Sequence, residues 1–203
     1  MVVEPQIWPQ TRLFTVDDYD SLPDDGPRFE IIDGVLLEMP APTIFHQQVL
    51  SEFNDLLKQH VRQHRLGLVL FAPVDVALSH LDIVQPDLVF VSHANANVIT
   101  PGGKRIVGAP DLVLEASSPR TTLRDQGAKR RLYASHGVRE YWFVDTDTET
   151  LKIWTRDGSG YVEATGDDVR LRSVVLPGLE IDVPALMAGA RGDLLLPGSG
   201  EGQ

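Results

Sequence analysis

The sequence predicts an α/β fold in which a mixed central β-sheet is flanked by helices. A long segment near the N-terminus carries an apolar stripe with helical spacing. Several short segments rich in Val, Leu and Phe are bounded by Pro, Gly and polar residues, as strands are. A second helical segment lies between two groups of these strands. Such an order of elements is typical of a sheet with helices packed on its faces.

The first third of the chain predicts two helices and a hairpin. Thr15-Val16-Asp17-Asp18 has the form of a capping box, with Asp in place of the usual Glu, and opens a short helix. Asp33-Gly34 lies between the two apolar halves of Arg28–Met39, which predicts a hairpin turn. Thr43–His64 predicts a long helix, and Gly67 is the expected stop. Its apolar stripe consists of Phe45, Val49, Leu50, Phe53, Leu56, Leu57 and Val61.

The rest of the chain predicts further strands and one more helix. The helix extends from about Leu123 to Ser135 and ends at Gly137. We expect a single domain over residues 1–188 and a flexible tail over residues 189–203, which are rich in Gly and have little to bury. The predicted strands lie within Leu68–Leu78, with a bend at Pro73, and in Gln85–Val91, Asp111–Ser117, Glu140–Asp145, Leu151–Trp154 and Leu171–Val183.

Composition excludes several classes of protein. The apolar fraction of 42% and the charged fraction of 23% are those of an ordinary globular domain. Cysteine is absent, which excludes disulfides and thiolate metal sites and fits a reducing cytoplasm. The first residues lack the pattern of a signal peptide, and no apolar run approaches the roughly 18 residues of a membrane span. We therefore expect a cytoplasmic protein with no membrane partner.

The charge is distributed unevenly. The net charge of −11 argues against a nucleic-acid partner, because Lys and Arg provide most of the binding to phosphates. Between Ser117 and Arg131, however, five basic residues accompany one acidic residue, Asp125. A protein with one basic strip can still bind a polyanion there. The basic residues of the strip are Arg120, Arg124, Lys129, Arg130 and Arg131.

Two carboxylates lie within apolar strands. Asp87 is in Gln85–Val91, and Glu115 is in Asp111–Ser117, 28 residues further along. A carboxylate is costly to bury unless it is paired or binds a metal. One shared divalent cation would explain both acids, and with the main-chain carbonyl of Ala116 the ligands would all be oxygen atoms, which suits Mg²⁺ or Mn²⁺. The alternative is that each acid forms an ordinary ion pair with an arginine.

Four further side chains have ordinary structural interpretations. His46 and His60 lie beside the apolar stripe of the long helix, and each is expected to be a core histidine bonded to a neighbouring carbonyl. Tyr141 and Trp142 lie in an apolar strand and are expected to be core aromatics.

The order of the motifs resembles a known group of enzymes. Pro86-Asp87 followed by Glu115-Ala116-Ser117 resembles the PD-(D/E)XK nuclease superfamily. More closely, the chain is similar to the bacterial Uma-two-like family of restriction-type endonucleases over Thr11–Val183. The segments that carry the resemblance are Phe29–Gly34, Phe71–Val76, Val84–Asp87, Ala109–Glu115, Gly137–Asp145 and Leu176–Leu179. The resemblance implies a restriction-endonuclease-like fold.

One position departs from the superfamily motif. Where that motif has a lysine, this chain has Ser117. The family resemblance implies that the lysine lies on the following helix instead, at Lys129. Asp125, Lys129 and Tyr133 share one helix face, and if that face is directed toward Glu115 the ammonium replaces the missing one. The alternative is a surface Asp125–Lys129 pair worth a few tenths of a kcal/mol.

The expected function follows from this resemblance. It implies a Mg²⁺-dependent endonuclease, with Mn²⁺ as a second metal, which cuts phosphodiester bonds in DNA and forms a homodimer. Asp87 and Glu115 would bind the ion, and Lys129 would assist the water or the transition state. Glu30 either adds a carboxylate or pairs with an arginine, and Gln85 either holds the attacking water or caps its strand. The rival is a nuclease-fold protein that binds nucleic acid or a protein without cutting.

Overall fold

Two six-stranded sheets form the framework of the fold. A computed structural model describes residues 6–7, 12–23, 26–117, 122–164 and 170–192. The strands are β1 (Gln6–Ile7), β2 (Phe29–Ile32), β3 (Val35–Glu38), β4 (Gly67–Phe71), β5 (Val76–Ser79), β6 (Asp82–Val84), β7 (Leu88–Ser92), β8 (Ile106–Val107), β9 (Leu112–Ser117), β10 (Glu140–Asp145), β11 (Thr150–Asp157), β12 (Gly160–Glu163), β13 (Arg170–Arg172) and β14 (Glu180–Asp182). The helices are α1 (Val16–Tyr19), α2 (Ile44–His64), α3 (Thr122–His136) and α4 (Val183–Gly192), and 3₁₀ turns cover His93–Val98 and Pro101–Gly103.

The central sheet is mixed, as predicted. Its strand order is β12-β11-β10-β9-β7-β4, and the second sheet has the order β1-β3-β2-β6-β5-β8, while β13 and β14 pair with each other. Strands β9 and β10 are parallel, and the other pairs of the central sheet are antiparallel. The parallel pair is the one connected through α3, as a crossover requires.

The two long helices cover opposite faces of the central sheet. Leu112 and Leu114 of β9 belong to the apolar cluster that includes the buried face of α2. Val113, between them, belongs to the cluster that includes Leu132 and Tyr133 of α3. Because successive strand side chains point to opposite faces, the residue after Leu114 is directed to the α3 side. Alternate residues of β9 therefore face α2 and α3.

Local signals account for the ends of α2 and for the first hairpin. The Thr43 hydroxyl accepts from the main-chain N–H of His46 at 3.2 Å and caps the helix. The predicted stop at Gly67 is wrong, because Arg65 takes the left-handed conformation with φ of 53° and ends α2 two residues earlier. Asp33 and Gly34 have φ of 51° and 74°, which confirms the predicted hairpin turn. Among the described helices, none has both the length and the apolar character needed to cross a membrane.

The C-terminal boundary differs from the prediction. Helix α4 continues to Gly192, so Gly189–Gly192 is helical and does not belong to a loose tail. The buried side chains of Met187 and Ala190 belong to the apolar cluster under α2, and this burial is what orders the segment. Residues 193–203 of the predicted tail lie outside the described residues.

We expect replacement of Thr43 by alanine to lower the free energy of unfolding by ~1 kcal/mol, because the His46 N–H loses its acceptor at the start of α2. Thr43→Ser keeps a hydroxyl at the same position and should lose much less. Urea unfolding of the two variants beside the parent measures the difference. Equal losses for alanine and serine would show that the hydroxyl does not act as the cap.

Candidate active site

Five elements meet at one end of the central sheet. Asp87 immediately precedes β7, which pairs antiparallel with β9 so that Leu88 lies opposite Leu114. Continuing this register by one residue places Asp87 across from Glu115. Sequence analysis put Asp87 inside its strand, and the structure puts it one residue before the strand begins. The remaining contributions come from β2, the first turn of α2 and the middle of α3.

Asp87 is fixed to the main chain of the neighbouring strand. Its Oδ2 accepts from the main-chain N–H of Ala116 at 2.8 Å. Ala116 directly follows Glu115, so the two carboxylates expected to share a cation are joined through one residue of β9. The structure thus brings Asp87, Glu115 and the main chain of Ala116 together.

Lys129 lies between two carboxylates. Its Nζ donates to Oε1 of Glu115 and to Oε1 of Glu30, each at 2.9 Å, and the residue is 9% exposed. A surface pair with Asp125 is therefore not the environment of this ammonium. The side chain of Asp125 itself lies outside the described residues, as do those of Arg120 and Arg124 in the predicted basic strip.

Tyr133 completes the surroundings of Glu115. Its hydroxyl donates to Oε1 of Glu115 at 2.6 Å, so Oε1 receives both the tyrosine and the Lys129 ammonium. The residue is fully buried, four positions after Lys129 on α3, so that both side chains extend from one helix face. The i, i+4 spacing was visible in the sequence, but it did not show that a tyrosine would bond to the predicted metal ligand.

The side chain of Glu30 belongs to the cluster around Lys129, whereas the side chain of Gln85 does not. Glu30 is 1% exposed and pairs with Lys129, and its Oε1 also accepts from the main-chain N–H of Gln85 at 2.9 Å. Its Oε2 is buried without a hydrogen-bond partner in the described part of the chain. The Gln85 amide N–H donates to the Tyr19 hydroxyl and to Asp75, each at 2.9 Å, and its Oε1 accepts from Arg28. The Gln85 side chain is therefore committed to a neighbouring network, apart from the Asp87–Glu115 cluster.

His46 is the residue whose position sequence analysis did not foresee. Its Nε2 lies 2.8 Å from the carbonyl oxygen of Ala116, so the expected bond to a carbonyl is present. The same nitrogen lies 3.4 Å from Oδ2 of Asp87, which places the ring at the site. In the sequence, His46 was one of two similar histidines on α2. By contrast, His60 bonds to the carbonyl of Pro177.

The electrostatics of the cluster favour one charged lysine and one easily protonated acid. Burial raises the pKa of Glu115 to about 7, and the Lys129 ammonium only partly offsets this, while Asp87 and Glu30 raise the pKa further. Burial alone would lower the pKa of Lys129, but Glu115 and Glu30 outweigh it and raise that pKa above its usual value. The ammonium is therefore charged throughout the neutral range.

The donor atoms suit a hard cation. In the described residues no group of three or more His, Cys, Asp or Glu side chains forms a metal cluster by itself. The protein oxygens that sequence analysis assigned to an ion belong to the carboxylates of Asp87 and Glu115 and to the main-chain carbonyl of Ala116. Such an incomplete oxygen set fits Mg²⁺ or Mn²⁺, which retain several water ligands. The buried Oε2 of Glu30, which has no partner, adds an unused acceptor at the same cluster.

Comparisons with known proteins identify the fold and the family. The chain resembles the solved structure titled "Crystal structure of a putative nuclease belonging to DUF820", from Anabaena variabilis ATCC 29413, with a TM-score of 0.71 and 19% sequence identity. The alignment covers 87% of this chain and 99% of that one. The fold is therefore the restriction-endonuclease-like fold that sequence analysis predicted, a mixed sheet between helices. No match was found among curated proteins.

A family model identifies the protein family of the chain. The model described as "Uma2: Putative restriction endonuclease" matches residues 16–184. The chain therefore belongs to the Uma2 family, and the resemblance recognised in the sequence is confirmed. Asp87, Glu115, Lys129, Glu30 and Ala116 all lie within the matched residues.

The raised pKa of Glu115 predicts a pH-dependent effect of Glu115→Gln on stability. The folded protein retains a proton that the unfolded chain releases between the usual pKa of 4.5 and the shifted value of about 7, so its stability falls as the pH rises through this window. The glutamine side chain does not titrate. Without metal, the variant should therefore gain ~1–3 kcal/mol of unfolding free energy relative to the parent between pH 5 and pH 8.

Denaturant unfolding in EDTA at the two pH values measures this difference. Glu163→Gln, at an exposed position of β12, is the matched control and should show no such change. A constant difference between Glu115→Gln and the parent would mean that the pKa of Glu115 is not raised.

Proposed function

We propose that this protein is a divalent-metal-dependent endonuclease that hydrolyses phosphodiester bonds in DNA. One observation carries the proposal: the Lys129 ammonium lies buried between Glu115 and Glu30, and Glu115 is joined through Ala116 to Asp87. A lysine and three acids in one buried cluster supply both a cation-binding group and a fixed positive charge. Family membership supports the nuclease class, and the finer assignment of metal and DNA rests on this chemistry.

A purely structural role explains the cluster poorly. Burying several charges costs more than filling the same volume with apolar side chains, and such clusters often give little net stability. Perturbed ionisable groups at the open end of a sheet are more typical of functional sites. Glu30 leaves one buried oxygen without a partner in the described structure, which a group serving stability alone would not need.

Each residue of the cluster has a separate task. Asp87, Glu115 and the carbonyl of Ala116 would hold the ion, and Mg²⁺ or Mn²⁺, when bound, polarises a phosphoryl oxygen and activates water. Lys129, whose Nζ is held by Glu115 and Glu30, would provide a charged donor to the scissile phosphate or the attacking water. Glu30 and Tyr133 hold this donor and its partner Glu115 in place. The preorganised charge costs no reorientation during the reaction.

The substrate and the assembly are further parts of the proposal. Arg130 and Arg131 follow Lys129 on α3 and are exposed, so this part of the basic strip presents charge to solvent. This is the position at which an acidic protein would contact a DNA backbone. A homodimer, which would offer two such sites to a duplex, is proposed by analogy with the fold alone.

Cleavage assays test this function directly. Supercoiled plasmid and single-stranded DNA are incubated with the protein in Mg²⁺, in Mn²⁺ and in EDTA. We expect cutting with a divalent cation, none in EDTA, and none with Glu115→Gln, because the amide lacks the charge that holds the ion. Glu163→Gln should cut as the parent does.

Cutting that EDTA leaves unchanged would contradict the metal-dependent mechanism. Tight binding of either DNA without any cleavage, in all three conditions, would instead support the rival nuclease-fold binding protein.

A further inference from the structure

His46 lies at the same end of the sheet as Lys129, but it comes from the helix on the opposite face. It is the third residue of α2, held by the cap at Thr43, and only 6% of it is exposed. Its helix packs on the face of the sheet away from α3. The site is therefore enclosed by an ammonium from one helix and an imidazole from the other. The proposed function assigns no task to this imidazole.

The ring nitrogen lies near two of the three oxygen donors that were assigned to the cation. Nε2 lies 2.8 Å from the Ala116 carbonyl oxygen and 3.4 Å from Oδ2 of Asp87. Two atoms that bind one ion at right angles, each about 2.1 Å from it, are about 3.0 Å apart. The two distances from Nε2 lie on either side of this value. Nε2 is thus near enough to each oxygen to share one ion with it.

We propose that Nε2 of His46 is a ligand of the same divalent cation as Asp87, Glu115 and the Ala116 carbonyl. The three side chains are not already gathered into a metal-binding group in the described residues, so binding of the ion would draw them together. This inference rests on the proposed metal-dependent function and adds a nitrogen atom to a site that otherwise has only oxygen ligands. The fourth donor, Glu115, enters from the α3 side.

The second ring nitrogen allows this role. In the metal-free protein the Nε2–H donates to the Ala116 carbonyl, whereas a metal ligand needs a free lone pair at Nε2. The proton must then reside on Nδ1. That nitrogen is buried and has no partner in the described structure, so no donor holds it as an acceptor, and in the metal-bound ring the Nδ1–H would have no acceptor among the described residues. The ring can therefore exchange tautomers without breaking a bond at Nδ1.

A nitrogen ligand changes which metal the site prefers. Mg²⁺ is bound by oxygen atoms, whereas imidazole suits first-row transition metals. The site should therefore bind Mn²⁺ more tightly than Mg²⁺. Losing His46 should weaken Mn²⁺ binding at least ~10-fold, the lower end of the losses seen when ligand support is removed from metal sites, and should weaken Mg²⁺ binding less.

Pulsed electron paramagnetic resonance of the Mn²⁺-loaded protein tests this ligand without relying on activity. We expect electron spin-echo modulation from a directly bound ¹⁴N nucleus, replaced by the ¹⁵N pattern when the protein is grown on ¹⁵N-histidine. His46→Gln should lose the modulation. His60→Gln is the matched control, since His60 is on the same helix and also contacts a carbonyl oxygen, that of Pro177 at 3.1 Å, and it should retain the modulation.

Thermal unfolding with Mn²⁺ and with Mg²⁺ separates this inference from the proposed function. Stabilisation by Mn²⁺ with no ¹⁴N modulation in the parent would overturn the histidine ligand and leave the metal site standing. Modulation that persists in His46→Gln would also overturn it. No stabilisation by either ion would contradict the metal site, and the proposed function with it.

Discussion

The ammonium of Lys129 is the interaction on which the rest of the site depends. Three carboxylates, those of Glu30, Asp87 and Glu115, lie close enough to influence one another, and each raises the free energy of its charged neighbours. The lysine offsets this repulsion by contacting two of them at once. Even so, the pKa of Glu115 is raised to about 7, so one positive charge does not balance the cluster fully. A divalent cation would complete the balance.

The fold explains how this cluster can exist inside an ordinary apolar core. The sheet is covered by α2 and α3, and the site lies where β7 begins and β9 ends. The helices contribute to it from their buried faces, His46 from α2 and Lys129 and Tyr133 from α3. The apolar packing of the two helices sets the positions of these polar groups. Stability of the core and geometry of the site are therefore linked through the same helices.

Much of this arrangement could be predicted from local sequence. The capping box at Thr15, the Asp33-Gly34 turn and the apolar stripe of α2 each define an element by contacts within a few residues. A common site for Asp87 and Glu115 was inferred from the resemblance and from the cost of buried acids. Lys129 could be placed only with the family in view, because Ser117 occupies the usual lysine position.

The features that sequence analysis missed depend on contacts between distant segments. His46 is 70 residues from Ala116, and nothing in its neighbourhood on α2 distinguishes it from His60. Gln85 adjoins Pro86-Asp87 in sequence, yet its side chain is held by Tyr19 and Asp75. Helix α4 contains two glycines and is ordered by burial against α2, which composition alone does not reveal.

The most direct measurement compares cleavage and metal binding in Lys129→Met. If the ammonium stabilises the transition state, the variant should cleave plasmid DNA ~10²–10³-fold more slowly, as expected for losing one preorganised donor. Its Mn²⁺ affinity, measured by titration, should change little, because Asp87, Glu115 and Ala116 remain. Cleavage at the rate of the parent, with metal affinity unchanged, would show that Lys129 has no part in the reaction and would contradict the mechanism.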